Sequence, residues 1–183
     1  MKLEKAALRK EVIKKRLELS EQQVKSAEKY IAATFWENSP EDVAVLHTYI
    51  PINNEASTLA IIDKALKLGW KVVVPKTLPG RKLKNLVLHS LEDLKEERFG
   101  TLIPNVEEEY TGTYDYVLVP GVAFSKELGR MGYGGGYYDT FLSQHSSSKK
   151  IGITYSLQMN DNLPLEEHDV KMDQLIIAPV NES

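Results

Sequence analysis

Apolar positions along this chain fall into two kinds of pattern, helical spacing among charges and short continuous runs bounded by turn residues. Residues 3 to 19 keep Leu3, Ala7 and the Leu17/Leu19 region apolar among charges, with no Gly or Pro between them, which predicts a helix. Ser20 then reads as an N-cap. With Gln23 three positions on, it makes a capping-box pattern that opens a second helix through Val24, Ala27, Tyr30 and Ile31 to about Trp36, ended by Asn38-Ser39-Pro40. Val43 to Ile50 is β-branched and aromatic enough for a strand, stopped by the turn chemistry of Pro51 to Asn54. Thr58 to Leu68 carries Leu59, Ile62, Ala65 and Leu66 at helical spacing with Gly69 placed to cap it, and Lys71-Val-Val-Val-Pro75 has the composition of a buried parallel strand. Strand, helix, strand within about 30 residues is a βαβ unit.

The middle of the chain is less periodic. Leu83 to His89 is a candidate strand, Leu91 to Phe99 is charged, and Thr101 to Thr113 is polar loop with Pro104 and Gly112. The pattern returns at Asp115-Tyr-Val-Leu-Val-Pro120, another buried strand, followed by a glycine-rich loop and a helix that opens over Tyr137 to Leu142. Ser143 to Lys150 is polar loop. Lys150 to Tyr155 and Gln174 to Ala178 are further strands, separated by a loop holding Pro164, His168 and Asp173. No internal repeat is present. The elements predict an α/β fold, a three-layer α/β/α arrangement with a predominantly parallel, Rossmann-like sheet, in which ligands sit at the carboxyl ends of strands. A chain of 183 residues fits one domain, residues 1–183.

Composition narrows the chemistry. With 42% apolar and 27% charged residues the chain is neither disordered nor fibrous. The absence of cysteine excludes disulfide scaffolds, thiolate zinc sites, iron–sulfur centres and cysteine nucleophiles. No run approaches a membrane span and the start lacks the apolar stretch of a secretory signal, so a soluble, unprocessed, cytoplasmic protein without membrane partners is expected. The net charge of −3 hides an asymmetry: the first 16 residues sum to +5 and the remainder to −8. A basic segment on an acidic body argues against a nucleic-acid surface and for one local anion site.

Gly129-Arg-Met-Gly-Tyr-Gly-Gly-Gly-Tyr-Tyr-Asp139 holds five glycines in eight positions, directly after a strand and before a helix. Such a loop lets backbone N–H groups approach an anion at a helix amino terminus, and Arg130 adds a positive charge. The alternative is a flexible turn. It is neither a Walker A loop nor a dinucleotide fingerprint, since the Gly-Lys-Ser/Thr ending and the glycine spacing are both missing. On the first helix Lys5, Arg9 and Arg16 fall within about 40° of one another, with Lys2 near the same edge, which makes either a solvated face or the other half of a phosphate site. Asp139 and Asp173 are candidate Mg²⁺ ligands, or a helix first-turn carboxylate and a loop cap respectively. His168-Asp169 is an acid/base pair or a structural loop histidine. Glu55 is a substrate contact past the first strand or a helix-start carboxylate. No Ser-His-Asp order or two-His metal spacing stands out.

Taken together, Lys5-Ala-Ala-Leu-Arg9, Glu55-Ala-Ser-Thr58, Val119-Pro-Gly-Val-Ala-Phe124, Arg130 to Asp139 and Pro164-Leu-Glu-Glu-His-Asp-Val-Lys-Met-Asp173 resemble the 5-formyltetrahydrofolate cyclo-ligase (5,10-methenyltetrahydrofolate synthetase) family, in its order and over almost the whole length. The resemblance implies an ATP-dependent ligase that closes 5-formyltetrahydrofolate, polyglutamylated or not, to 5,10-methenyltetrahydrofolate. It implies an ATP site at Lys5, Ala6, Ala7, Leu8 and Arg9 and at Arg130, Met131, Gly132, Tyr133, Gly134, Gly135, Gly136, Tyr137 and Tyr138. It places Mg²⁺ on Asp139 and Asp173, the folate on Ile50, Glu55 and Tyr133 to Tyr137, and catalytic roles on Arg130, Tyr133 and Tyr137. Departures are Ala56 and Ser57, where the family commonly has a bulkier apolar residue and an Asp, and Thr140, where it often has Arg.

Overall fold

A computed structural model describes residues 2–39, 42–97, 100–166 and 169–180. His168, Pro40, Phe99 and the side chain of Lys2, each part of a sequence expectation, lie outside the described residues. Two helices come first, α1 (Lys2–Leu17) and α2 (Glu21–Glu37), and the Ser20/Gln23 capping box forms as expected between them. The chain continues through β1 (Val45–His47), α3 (Leu59–Lys67), β2 (Lys71–Leu78) and β3 (Lys82–Leu88). Next are the short strands β4 (Leu94–Glu96) and β5 (Leu102–Pro104), then β6 (Tyr116–Val119). A two-residue hairpin pair, β7 (Ala123–Phe124) and β8 (Arg130–Met131), leads into α4 (Tyr137–Gln144), β9 (Lys149–Tyr155) and β10 (Gln174–Ala178).

Six strands form the main sheet in the order β10-β9-β6-β1-β2-β3, parallel except for β3, which pairs antiparallel with β2. Successive residues of the buried strands serve opposite faces, as the pleat requires. Val72, Val74, Leu46, Leu118, Ile151 and Ile153 pack with Ile31 and Phe35 of α2 and Ile61, Ile62 and Ala65 of α3. Val73, Val117 and Val119 turn the other way, onto Phe141 and Leu142 of α4. This is the three-layer α/β/α arrangement. Each fully buried Ile, Val or Phe contributes about 1.5–3 kcal/mol over the exposed state, so the helices are fixed by their apolar faces. Helix α1 packs Val12 against Val122, Ala123 and Met131, which seats it beside the β7–β8 hairpin and not on either face of the sheet.

Four sequence boundaries are corrected. β1 covers only Val45–His47 of the expected Val43–Ile50, because Tyr49 and Ile50 leave the ladder to line the cleft described below. β2 runs on from Val74 to Leu78 beyond its last partner in β1, since β3 offers an antiparallel edge there down to the Lys82–Leu78 pair. The expected polar loop after Thr101 contains β5, paired with β4. α4 extends to Gln144, into the segment expected as loop.

Candidate active site

The carboxyl ends of β1, β2 and β6 open on a cleft of about 760 Å³. Its floor is Tyr49 and Ile50 after β1 and Pro120 after β6; one wall is the overhanging β2–β3 hairpin with Pro75, Thr77 and Leu83, and the other is α1 with Lys5 and Arg9. The glycine loop, Gly132 to Gly136, closes it, followed by Tyr137, Tyr138 and Asp139 in the first turn of α4.

Two positions in that loop need glycine. Gly134 has φ 97° and Gly136, the N-cap of α4, has φ 70°, a region L side chains rarely adopt. A Cβ on Gly134 would lie 3.4–3.6 Å from the Arg9 guanidinium, and one on Gly136 would lie 3.3–3.5 Å from the Arg81 side chain. The bare backbone thus brings two cations from different elements against the amino terminus of a helix, the geometry that receives phosphate. Arg9 is oriented by donating from Nε to the Gly132 carbonyl at 2.8 Å, and Lys5 pairs with Glu166 at 3.0 Å.

Arg130 stands at the base of this region. Its side chain is 3% exposed; Nη2 donates to Asp139 Oδ1 at 2.7 Å, Nη1 to the Pro120 carbonyl at 3.3 Å, and the guanidinium lies 5.7 Å from the Tyr138 ring centroid. Its Nε and the Tyr138 hydroxyl are buried with no hydrogen bond among the described residues. Burial pushes the Tyr138 phenol well above its ordinary range.

The other half of the cleft is built round Glu55. Its Oε2 accepts from the Ile52 N–H at 3.0 Å and its Oε1 from the Tyr133 hydroxyl at 2.6 Å. Burial raises its pKa, opposed by those two bonds and by the Arg16 charge. Tyr133 is raised too, by burial and then by the Glu55 charge. Both phenols therefore stay protonated near neutrality, and Tyr133 donates to Glu55.

The expected residues separate into those brought together and those not. Lys5, Arg9, Ile50, Glu55 and the whole run Arg130 to Asp139 line one cleft. Ala6 and Ala7 are exposed on α1 and Leu8 packs against the Val12 cluster, and none of the three lines the cleft. Arg16 is corrected: it is 1% exposed and turned inward beneath Tyr133, not a member of the cationic wall. Asp173 lies at the opposite edge of the sheet, at the start of β10, where Oδ2 accepts the Lys150 N–H at 2.7 Å. That bond fits the loop-cap alternative, and Asp173 is not among the residues that line the cleft. Sequence reasoning missed Arg81, whose signal was the Pro79-Gly80 turn between two lysine-bearing runs, and the hairpin wall it belongs to.

The donor set bears on metal binding. Among the described residues no three His, Asp or Glu side chains cluster as a cage. Asp139 is one of four carboxylates lining the cleft, with Glu55, Glu166 and Asp169, and has one oxygen on Arg130. That fits Mg²⁺ held mainly by water and phosphate oxygens, which takes only one or two carboxylates, and does not fit a resident metal centre.

The model of the 5-formyltetrahydrofolate cyclo-ligase family matches residues 1–178. A probable 5-formyltetrahydrofolate cyclo-ligase of Caenorhabditis elegans is 32% identical over 164 residues, 81% of this chain and 78% of the relative. The 5-formyltetrahydrofolate cyclo-ligase of Mycoplasma pneumoniae is 30% identical over 179 residues, 95% and 98% of the two chains. Among solved structures, the 5,10-methenyltetrahydrofolate synthetase of Aquifex aeolicus superposes with a TM-score of 0.81 at 30% identity, covering 94% of this chain and 89% of that one. The Mycoplasma pneumoniae 5,10-methenyltetrahydrofolate synthetase gives 0.76 at 27% identity, covering 94% and 97%. The chain belongs to the 5-formyltetrahydrofolate cyclo-ligase family.

Proposed function

We propose that the protein converts 5-formyltetrahydrofolate to 5,10-methenyltetrahydrofolate, with ATP converted to ADP and phosphate, and that residues 1–183 act as one catalytic domain. The observation that carries this reading is the two-sided cleft, with cations and a helix amino terminus at one end and a buried carboxylate ringed by phenols at the other. The chemistry needs both ends at once. The formyl oxygen is a very poor leaving group, so its departure requires activation. Transfer of the γ-phosphoryl group to that oxygen breaks the terminal phosphoanhydride bond and leaves an iminium phosphate at N5. Attack by N10 on the same carbon, with loss of its proton, forms the new C–N bond and expels phosphate.

No protein nucleophile is needed, which agrees with a chain lacking cysteine. The protein's part is positioning and charge stabilisation. Lys5, Arg9 and the N–H groups of Gly134 to Tyr137 hold the phosphates, with Arg81 closing on them from the hairpin. Arg130 supplies positive charge where the γ-phosphoryl group moves, and Asp139 would hold a Mg²⁺ ion that accompanies the nucleotide. Mg²⁺, when bound, neutralises phosphate charge. Ile50, Glu55, Tyr133 and Tyr137 hold the folate, with Tyr133 and Tyr137 close to the reacting groups. A glutamate tail, single or multiple, suits the basic rim at Lys5 and Arg81. A small-molecule partner, a cytoplasmic setting and no nucleic-acid partner complete the reading. Among the described residues no helix is long and apolar enough to cross a membrane.

Incubation of the purified protein with 5-formyltetrahydrofolate and MgATP, followed optically for the methenyl product, tests it. Product that disappears with chelator or without ATP is expected. Folded protein that makes none overturns the proposal.

A further inference from the structure

Among the described residues the most deeply buried charge belongs to a residue that does not line the cleft. Arg16 is 1% exposed, and its guanidinium reaches the cleft only through one phenol. Nη2 donates to Tyr133 Oη at 2.7 Å, and Tyr133 Oη donates to Glu55 Oε1 at 2.6 Å. Nε donates to the Asn53 carbonyl at 3.1 Å, and Asn54 Nδ2 donates back to the Arg16 and Leu19 carbonyls at 3.3 and 3.4 Å. The end of α1 is thereby tied to a tight turn in which Asn53 and Asn54 both hold left-handed φ, 49° and 54°. Nη1 is buried with no hydrogen bond among the described residues.

The donor and acceptor arithmetic fixes the direction of this chain. Arginine has no acceptor, so the Tyr133 oxygen must accept from it, and the Tyr133 proton must go elsewhere. The atom within reach is a Glu55 oxygen. Besides Tyr133, the groups facing Glu55 are the phenols Tyr49, Tyr138 and Tyr155, with Arg130 behind Tyr138 and Glu28 behind Tyr155. The cation that opposes the burial of Glu55 is Arg16. Burying a guanidinium is costly unless its charge is answered, and here the answering carboxylate stands one hydroxyl away. A carboxylate has about four acceptor sites. Two are taken by Tyr133 and Ile52, leaving the others to the cleft.

We infer that Arg16 is a positioning residue for the folate half of the cleft, holding the Tyr133 hydroxyl so that Glu55 stays an acceptor for N–H donors of the bound substrate. The inference rests on the function proposed above. A merely structural Arg16 would lock α1 to the Asn53 turn and have no selective effect on folate.

The test measures KM for 5-formyltetrahydrofolate and for ATP, across pH, in the wild type, Arg16→Met and Arg16→Lys, with thermal melts to confirm folding. Arg16→Met is expected to raise the folate KM about tenfold, the loss expected for a charge-assisted hydrogen bond. ATP KM stays within about twofold, and the acid limb of the folate kcat/KM profile moves to higher pH. Arg16→Lys keeps the limb in place but, lacking the fork that reaches both Asn53 and Tyr133, recovers KM only in part. In a Glu55→Gln background Arg16→Met adds no further folate effect. A folded Arg16→Met with wild-type folate KM overturns the inference, as do an equal rise in both KM values with an unmoved limb or additive effects with Glu55→Gln. If Arg16→Met does not fold, Arg16→Lys decides: an unchanged folate KM overturns the inference. A ¹³C titration of the Glu55 carboxyl, assigned with Glu55→Gln and compared in Arg16→Met, or in Arg16→Gln if that variant does not fold, reads the same coupling without turnover. Its midpoint should rise, and an unmoved midpoint overturns the inference. Wild type without turnover would overturn the proposed function instead and leave this readout standing.

Discussion

Removing Arg130 should damage the fold and the phosphate site together, and the two losses are separable. In Arg130→Ala the Asp139 carboxylate loses a charge-assisted bond of 2.7 Å, worth about 2 kcal/mol. The guanidinium's contact with the Tyr138 ring at 5.7 Å adds about 0.5–1 kcal/mol. Asp139 is 27% exposed and can rehydrate, which holds the total near 3 kcal/mol, the low end for breaking a buried pair. For a chain of 183 residues that is a fall of about 9 °C in Tm. Urea unfolding of Arg130→Ala, Asp139→Asn and the double variant should give a coupling of about 1.5 kcal/mol between the two sites. ATP KM measured well below the lowered Tm should still rise, because the charge beneath the phosphates is gone. Arg130→Lys should regain part of the ATP effect but little of the stability, since an ammonium cannot serve Asp139 and Pro120 together. Zero coupling would refute the reasoning about the fold. Wild-type ATP KM in Arg130→Ala would refute the phosphate role.

Other consequences are equally concrete. His47 is buried, its pKa pushed down to about 3 by desolvation, so its folded value lies below its unfolded value near 6.5. Its stabilising contribution is complete above about pH 6.5 and is lost as pH falls toward about 3; at pH 5 the loss is roughly 2 kcal/mol. His47→Gln, compared with wild type by urea unfolding at pH 7 and pH 5, should lack that share of the acid slope, and an identical slope would contradict the assignment. Asp139→Asn should raise the Mg²⁺ concentration for half-maximal turnover several-fold. Asp173→Asn should leave that titration unchanged and cost about 1 kcal/mol of stability, through its bond to the Lys150 N–H; a shifted Mg²⁺ titration would return it to the metal. Gly134→Ala should raise ATP KM, since φ 97° and the Arg9 guanidinium both oppose a methyl group there; ATP kinetics like wild type would show that the loop adapts.

Legibility of the sequence followed the physics of each element. Lys150 to Tyr155 and the α2 cap were visible because a buried parallel strand and a capping box carry their signals locally. β3 was only partly visible, since an antiparallel edge strand mixes Lys82 and Lys84 with Leu83 and Leu86 and carries no continuous run. β7 and β8 span two residues each, too short for any period. In the site, the glycine run was legible because positive φ and close approach demand glycine itself. Arg16 was not. It shares a helical stripe with Lys5 and Arg9, and only the fold, by bringing Tyr133 across 117 residues of chain, turns it from that stripe into the interior. Arg81 stayed hidden for the same reason, since a turn residue becomes a cleft residue only when the hairpin overhangs the sheet.

The most direct test of the central claim follows the formyl oxygen. With ¹⁸O in the formyl group of 5-formyltetrahydrofolate, the account predicts one labelled oxygen in the inorganic phosphate released with each methenyl product. Labelled water together with unlabelled phosphate, at full turnover, would contradict it.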